Sequence, residues 1–319
     1  MKIRQLFICT IFMAAAGCIT CKAQEDYVKP DDTFLFAEKD SCQLYMDVYY
    51  PADGSVTTVD SVRKPTVIYV FGGGFKEGSR DSRSARKWFK LLADEGFTIV
   101  AIDYRLGLKD VKKMGLAQAG LLYNAIKIAV EDLFSATGYL VEHSDELGID
   151  PTRIVVSGSS AGAITSLQAE WEICNGTDRA ASLPSGFNYA GVMSFSGAVL
   201  SFRGKPAYRK MAPCPQVMFH GTVDKMVPYD KIKVLWACFG GTSTLAKRLK
   251  KDDANYQVWR FEGNAHEVCT SMMHNLDREL EFLSRNVLSG ERYLIDATVV
   301  DSTLDIPSWA RNSASSLYD

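Results

Sequence analysis

Apolar residues fall along this chain in short unbroken runs separated by longer stretches with helical spacing. Thr66–Phe71 is almost wholly apolar and ends in three glycines, Gly72, Gly73 and Gly74. A run that short without polar alternation predicts a strand buried on both faces, as in the middle of a parallel sheet. Phe97–Ile102, Arg153–Ser157, Ala190–Phe195, Val217–Phe219 and Tyr256–Phe261 read the same way. Ahead of them, Gln43–Tyr50 alternates in strand fashion and stops at Pro51, and the polar stretch Ala52–Lys64 reads as a hairpin or loop. Helical spacing covers Ala85–Glu95, Leu116–His143, Ala161–Trp171, Ile232–Leu249 and Glu267–Asn286. Strands that alternate with helices require parallel pairing and crossover helices, hence a doubly wound α/β sheet. No repeat, linker or low-complexity run divides residues 24–288, which are expected to form one domain. Residues 289–319 contain Pro307 and Trp309 but no period, and are expected to pack on its outside.

The first residues have a different pattern. Lys2 and Arg4 precede an uncharged apolar run, Leu6–Ala16, and small residues follow. This is the layout of an export signal, and the run is too short for a comfortable membrane span. Two processing routes fit. Cys21-Lys22-Ala23 sets small residues at −3 and −1 for cleavage before Gln24, making 1–23 a signal peptide. Ala15-Ala16-Gly17-Cys18 resembles a lipobox with Ala where Leu is usual, which would anchor the chain by lipid at Cys18. Both routes lead to export, periplasmic or secreted, with membrane contact only through a Cys18 anchor.

Composition narrows the field. The 319 residues are 47% hydrophobic and 23% charged, which excludes a disordered or multi-pass membrane protein. The net charge of −2 falls to −5 once the leader's three cations are removed. No basic block stands out along the sequence, so a nucleic-acid partner is not expected. Beyond the leader stand Cys42, Cys174, Cys214, Cys238 and Cys269. An odd number leaves at least one thiol unpaired; one bridge has room to form, and its identity is not readable. None has the C-x-x-C spacing of a zinc site, so no metal is expected.

The chemistry-bearing residues cluster at the carboxyl ends of the expected strands, where open α/β sheets carry their functional groups. Gly158-Ser159-Ser160-Ala161-Gly162 lies between a strand and a helix, the context of a G-x-S-x-G nucleophile elbow. Such a turn lifts Ser160 above the sheet at a helix N-terminus, where developing negative charge is favoured. A serine hydroxyl needs a base. Of His143, His220, His266 and His274, only His266 lies in a Gly/Asn loop after the last expected strand. His143 ends a long helix, His274 falls within the last helix at the surface, and His220 is expected to be tied to local backbone. Asp224, in the loop after Val217–Phe219, suits the acid that fixes the imidazole; Asp230 should already lie in a helix. Gly73 and Gly74, with the N–H of Ala161, suit the donors that meet an oxyanion. No G-K-[ST] follows these glycines, which argues against a phosphate loop.

Taken together, Phe71–Phe75, Asp103-Tyr104-Arg105-Leu106, the elbow with Pro151-Thr152-Arg153-Ile154, the His220–Pro228 stretch and Gly263–His266 resemble the α/β-hydrolase carboxylesterases. Within them the chain is similar to secreted bacterial esterases that remove acetyl or feruloyl groups from plant polysaccharide. The resemblance spans about Leu44 to Leu288. It departs at Phe71, where many relatives of the hormone-sensitive-lipase type carry His before the glycines. It implies a serine esterase with Ser160, Asp224 and His266 as triad, no cofactor, and a structural role for Asp103 and Arg105. A peptidase of the same fold and an inactive binding protein on the scaffold are the rival readings. About twenty residues separate the strand ending near Phe195 from Val217, too few for long cap helices. A lidless cleft is therefore expected, with a short acyl pocket bounded by the glycine loop and Phe75, open to an ester on a bulky or carbohydrate alcohol.

Overall fold

The computed structural model describes residues 28–51, 63–113 and 119–318. The expected leader with Cys18, most of the stretch Ala52–Lys64, and the first residues of the helix expected from Leu116 lie outside them. In chain order the elements are β1 (Asp32–Lys39), β2 (Cys42–Tyr49), β3 (Thr66–Val70), α1 (Arg83–Asp94), β4 (Thr98–Ile102), α2 (Ala119–Glu142), β5 (Ile154–Ser159) and α3 (Ala161–Asn175). They continue as β6 (Gly191–Phe195), β7 (Ala198–Ser201), β8 (Gln216–Gly221), β9 (Lys231–Val234), β10 (Ala237–Gly241) and α4 (Thr242–Lys251). β11 (Tyr256–Phe261), α5 (Leu276–Phe282) and β12 (Ile295–Val299) complete the chain.

Among the described residues a nine-stranded sheet runs in the order β1-β2-β4-β3-β5-β6-β8-β11-β12. Pairing is parallel from β4 to β12, and antiparallel where β2 joins β1 and β4. This is the doubly wound α/β sheet that the alternation of strands and helices implies, in the α/β-hydrolase arrangement that the resemblance leads one to expect. The apolar runs supply its middle: every residue of β3, β4, β5, β6 and β8 is buried. Trp88, Phe89 and Leu92 turn one face of α1 onto the sheet, and α3 is buried along nearly its whole length. That pattern follows from an element covered on all sides, which needs no polar face.

Four expectations change. Ile232–Leu249 is helical only from Thr242; before it, β9 and β10 form a hairpin that pairs with β7 in a separate antiparallel sheet, β7-β10-β9. Asp230 consequently sits in a bend ahead of β9 and not in a helix. The closing helix breaks into short 3₁₀ turns, His266–Thr270 and Met273–Asn275, then α5, then a π turn over Leu283–Leu288. The tail is no mere wrapping: β12 adds to the sheet edge in parallel with β11. All five described cysteines are free. Among the described residues no helix is long and apolar enough to cross a membrane.

Candidate active site

Ser160 sits between β5 and α3 with φ 51° and ψ −113°, backbone values a non-glycine residue rarely holds. The turn persists because its neighbours leave no alternative. A Cβ on Gly158 would come 2.3 Å from Gly162 backbone, and one on Gly162 would come 1.9 Å from the Val70 carbonyl oxygen. The Ser160 N–H donates to Phe195 O at 2.9 Å, which ties the strained residue to the end of β6.

The loop after β11 delivers His266. Its Nε2 lies 2.8 Å from Ser160 Oγ, and its Nδ1 lies 2.7 Å from Asp224 Oδ2. All three side chains are buried. Glu267 holds this loop by accepting from the N–H of Ala265 at 3.0 Å and from Asn264 Nδ2 at 2.9 Å. Ser159 Oγ donates to Cys269 O at 2.6 Å, joining the elbow to the histidine turn. Glu267 and Ser159 escaped the sequence reading, although Glu267 stands beside the histidine in the chain.

Asp224 is fixed from both sides. Its Oδ1 accepts the backbone N–H of Met226 at 2.8 Å and of Val227 at 3.0 Å. Its Oδ2 faces His266 and also His220 Nε2, at 3.3 Å. That nitrogen also meets the Val227 carbonyl at 3.1 Å, so it carries the proton, and His220 Nδ1 accepts from Thr242 Oγ1 at 2.8 Å. His220 is thus tied to local backbone, but it also supports the acid, a second role the sequence did not disclose. Burial opposes the Asp224 carboxylate, yet its hydrogen bonds from His220 and His266 hold its pKa well below the usual carboxylate range. Burial likewise opposes a charged His266; the neighbouring Cys269 sulfur and the Asp224 carboxylate outweigh it and raise the imidazole pKa.

The other histidines stay apart. His143 lies just past α2 beside Glu146, and His274 pairs with Asp301 at 2.6 Å. Asp230 bonds Thr244 and Lys231. Asp103 accepts from Tyr45 N–H and Arg80, and Arg105 binds Asp132; both brace the start of the sheet.

A cavity of about 510 Å³ opens over Ser160 and His266, with Gly72, Gly73 and Gly74 along one side. Gly73 holds φ 115°, a conformation that L side chains avoid, and a Cβ there would lie 2.0 Å from the Glu77 carbonyl oxygen. Ala161 begins α3 at the same level. Phe75 does not bound this cavity. It is buried edge-on against Tyr104, and Phe71 lines the wall in its place, stacked on the same tyrosine at 4.4 Å with its carbonyl bonded to the Tyr104 hydroxyl. Trp88 also lines it, its Nε1 donating to Glu279 Oε2 at 2.7 Å; complete burial pushes that carboxyl well above its ordinary pKa. The remaining wall comes from the tail. Trp309, Asn312 and Ser316 line the cavity, and the Trp309 ring stands edge-on to His266 at 6.3 Å. Among the described residues no cluster of His, Cys, Asp or Glu could hold a metal ion.

Comparison with known proteins places the chain among esterases and their relatives. A family model described as phospholipase/carboxylesterase matches residues 124–284, half of the chain, and the BD-FAE model matches residues 46–172. Esterase LipI of Mycobacterium tuberculosis is 30% identical over 36% of this chain and 30% of its own length. Neuroligin-2 of Rattus norvegicus is 29% identical over 43% of this chain and 17% of its own. These matches therefore span under a third of the curated relatives. Among solved structures, esterase 2 of Thermogutta terrifontis superposes with a TM-score of 0.57 at 23% identity, over 79% of this chain and 93% of that one. At that identity the likeness is one of fold.

Proposed function

Since the chain belongs to the phospholipase/carboxylesterase family, we propose that it is a serine carboxylesterase that cleaves short-chain or aromatic acyl esters through an acyl-enzyme. The observation that carries the reading is the continuous hydrogen-bonded line from Ser160 Oγ through His266 to Asp224. In this mechanism His266 Nε2 takes the Ser160 proton as Oγ attacks the acyl carbonyl carbon. Asp224 holds Nδ1–H and stabilises the imidazolium that forms. The carbonyl electrons move onto oxygen, met by the N–H groups of Gly73, Gly74 and Ala161. Collapse breaks the ester bond, and His266 returns the proton to the leaving alcohol. Water, activated by the same imidazole, then releases the acid and restores Ser160. The steps need no metal or organic cofactor.

The acyl group of this reading is acetyl or a small aromatic acid, and the alcohol is bulky, such as a polysaccharide hydroxyl. The enzyme acts after export, and the mass of the mature protein tests this: a chain starting at Gln24 supports cleavage by signal peptidase, and a lipid-modified Cys18 supports anchoring. Ser160→Ala should lower p-nitrophenyl acetate hydrolysis by about 10⁴-fold with an unchanged melting temperature. Turnover retained in the folded variant would overturn the serine mechanism. Faster cleavage of aminoacyl-anilides than of p-nitrophenyl esters by the parent enzyme would make it a peptidase, and no turnover of either would make it a binding protein.

A further inference from the structure

The β9–β10 hairpin projects from the molecule with an unusual division of residues. All four residues of β9 are exposed, so neither face of the strand is covered. Lys233 pairs across the hairpin with Cys238 and Lys231 with Gly240, while Ile232 pairs with Phe239 and Val234 with Ala237. Residues opposite one another share a face, so the ribbon is basic on one side and apolar on the other. Its tip carries Leu235 at 75% exposure and Trp236 at 64%, beside Ile232 at 55%.

A second feature adjoins it. Lys231 also lines a cavity of about 300 Å³ with Lys205, Lys247, Arg248 and Lys251. The last three recur at helical spacing on one face of α4. Asp230 and Asp252 occupy Lys231 and Arg248, whereas Lys205, Lys247 and Lys251 are exposed. Cavity and hairpin are continuous: Gly204 N–H donates to Trp236 O at 2.9 Å, and Pro206 abuts Gly240. In the sequence only Lys247-Arg248-Leu249-Lys250-Lys251 is a basic run; Lys205, Lys231 and Lys233 come from two other segments, and folding gathers them beside it.

We propose that this surface docks the protein on an anionic phospholipid bilayer, with Leu235 and Trp236 entering the interface and the lysines facing headgroup phosphates. Both halves of the patch match that one partner. Exposed aliphatic and indole groups gain by entering the acyl boundary, and lysines beside them gain from a negative surface. An acidic polysaccharide would use the lysines but would leave Val234 and Leu235 in water. A second copy pairing through the β9 edge would set Lys231 and Lys233 against their own counterparts, a like-charge arrangement that edge strands use to prevent pairing.

Co-sedimentation tests this with the purified protein and vesicles of phosphatidylcholine alone or with about a third phosphatidylglycerol. Binding is expected to the anionic vesicles only, and to fade as added salt shortens the screening length. Lys205→Gln, Lys233→Gln and Lys247→Gln should each weaken it about fivefold. The double variant Leu235→Ser/Trp236→Ser should abolish it, with p-nitrophenyl acetate hydrolysis unchanged as proof of an intact fold. Quenching of tryptophan emission by brominated lipid should be lost in Trp236→Phe while binding remains. Equal binding to neutral vesicles, binding insensitive to these variants, or none at all would overturn the proposal. So would a lysine-dependent retardation by polygalacturonate in a protein that ignores lipid, or a dimer dispersed by Leu235→Ser/Trp236→Ser.

Discussion

Asp224 accepts from two backbone N–H groups at Oδ1 and faces two imidazoles at Oδ2. That arrangement sets the acid–base behaviour of the site. The Asp224 charge favours the imidazolium of His266, while burial disfavours it. His266 must be neutral to accept the Ser160 proton, so kcat/KM should rise with pH through its pKa and then level off. Asp224→Asn removes the favourable charge and leaves burial unopposed. The acid limb should therefore move to lower pH, with a plateau about 10⁴-fold lower. A pH profile of p-nitrophenyl acetate hydrolysis checks the direction, and a limb that moved upward would contradict the assigned pairing. His220 acts one step further out, through the carboxylate. Losing one hydrogen bond to a charged group should cost about 10- to 100-fold in kcat with little change in KM. His220→Ala measured beside His266→Ala tests that ranking: the His266 variant should be much the worse, and His274→Ala should be nearly silent. A His220 variant as inactive as the His266 variant, yet with an unaltered melt, would mean that the base has been misassigned.

Elements buried on both faces were readable from the chain because nothing but an apolar run satisfies such a position. Thr66–Val70, Thr98–Ile102 and Gly191–Phe195 are of this kind, and Tyr256–Phe261 was legible to the residue. The elbow, too, stands out as a local pattern: Gly158 is demanded by its contact with Gly162 four residues on, while Gly162 is demanded by the Val70 carbonyl of β3. The β9–β10 hairpin was misread for an equally physical reason. Ile232, Leu235 and Trp236 fall at spacings of three and four, which imitate one face of a helix, and an exposed ribbon has no burial to impose a two-residue period. β1 and β12 went unseen as strands at the two ends of the sheet, where only part of each residue set is covered. That Ser160, Asp224 and His266 meet depends on the order of strands in the sheet. β8 and β11 are neighbours, and the loops after them open on the same edge as the elbow after β5.

At the scale of the whole molecule, the cleft is closed from an unexpected direction. No cap helices lie between β6 and β8; β7 occupies that interval and turns away into the small sheet. The cover comes from the opposite end of the chain. β12 anchors the tail beside β11, Asp301 holds His274, and fully buried Ala310 sets Trp309 over the cavity. The phospholipase/carboxylesterase and BD-FAE models end at residues 284 and 172, so this wall belongs to neither matched region. Trp309 stands edge-on to His266, which in the proposed mechanism returns a proton to the departing alcohol, so that reading puts Trp309 on the alcohol side of the site. An indole there can stack on an aromatic alcohol and has little to offer a two-carbon one. Stacking of that kind is worth about 0.5–1.5 kcal/mol, or roughly two- to tenfold in rate. Trp309→Ala should therefore lower kcat/KM for p-nitrophenyl acetate by that factor and leave ethyl acetate nearly unchanged. The two esters share an acyl group, so their acyl-enzyme and its hydrolysis are common; the alcohols differ in the ring that could stack and in how much they need the His266 proton to leave. A loss for ethyl acetate as large as that for p-nitrophenyl acetate, or larger, would mean that Trp309 merely steadies His266, and the tail would then be a brace for the base instead of a wall for the substrate.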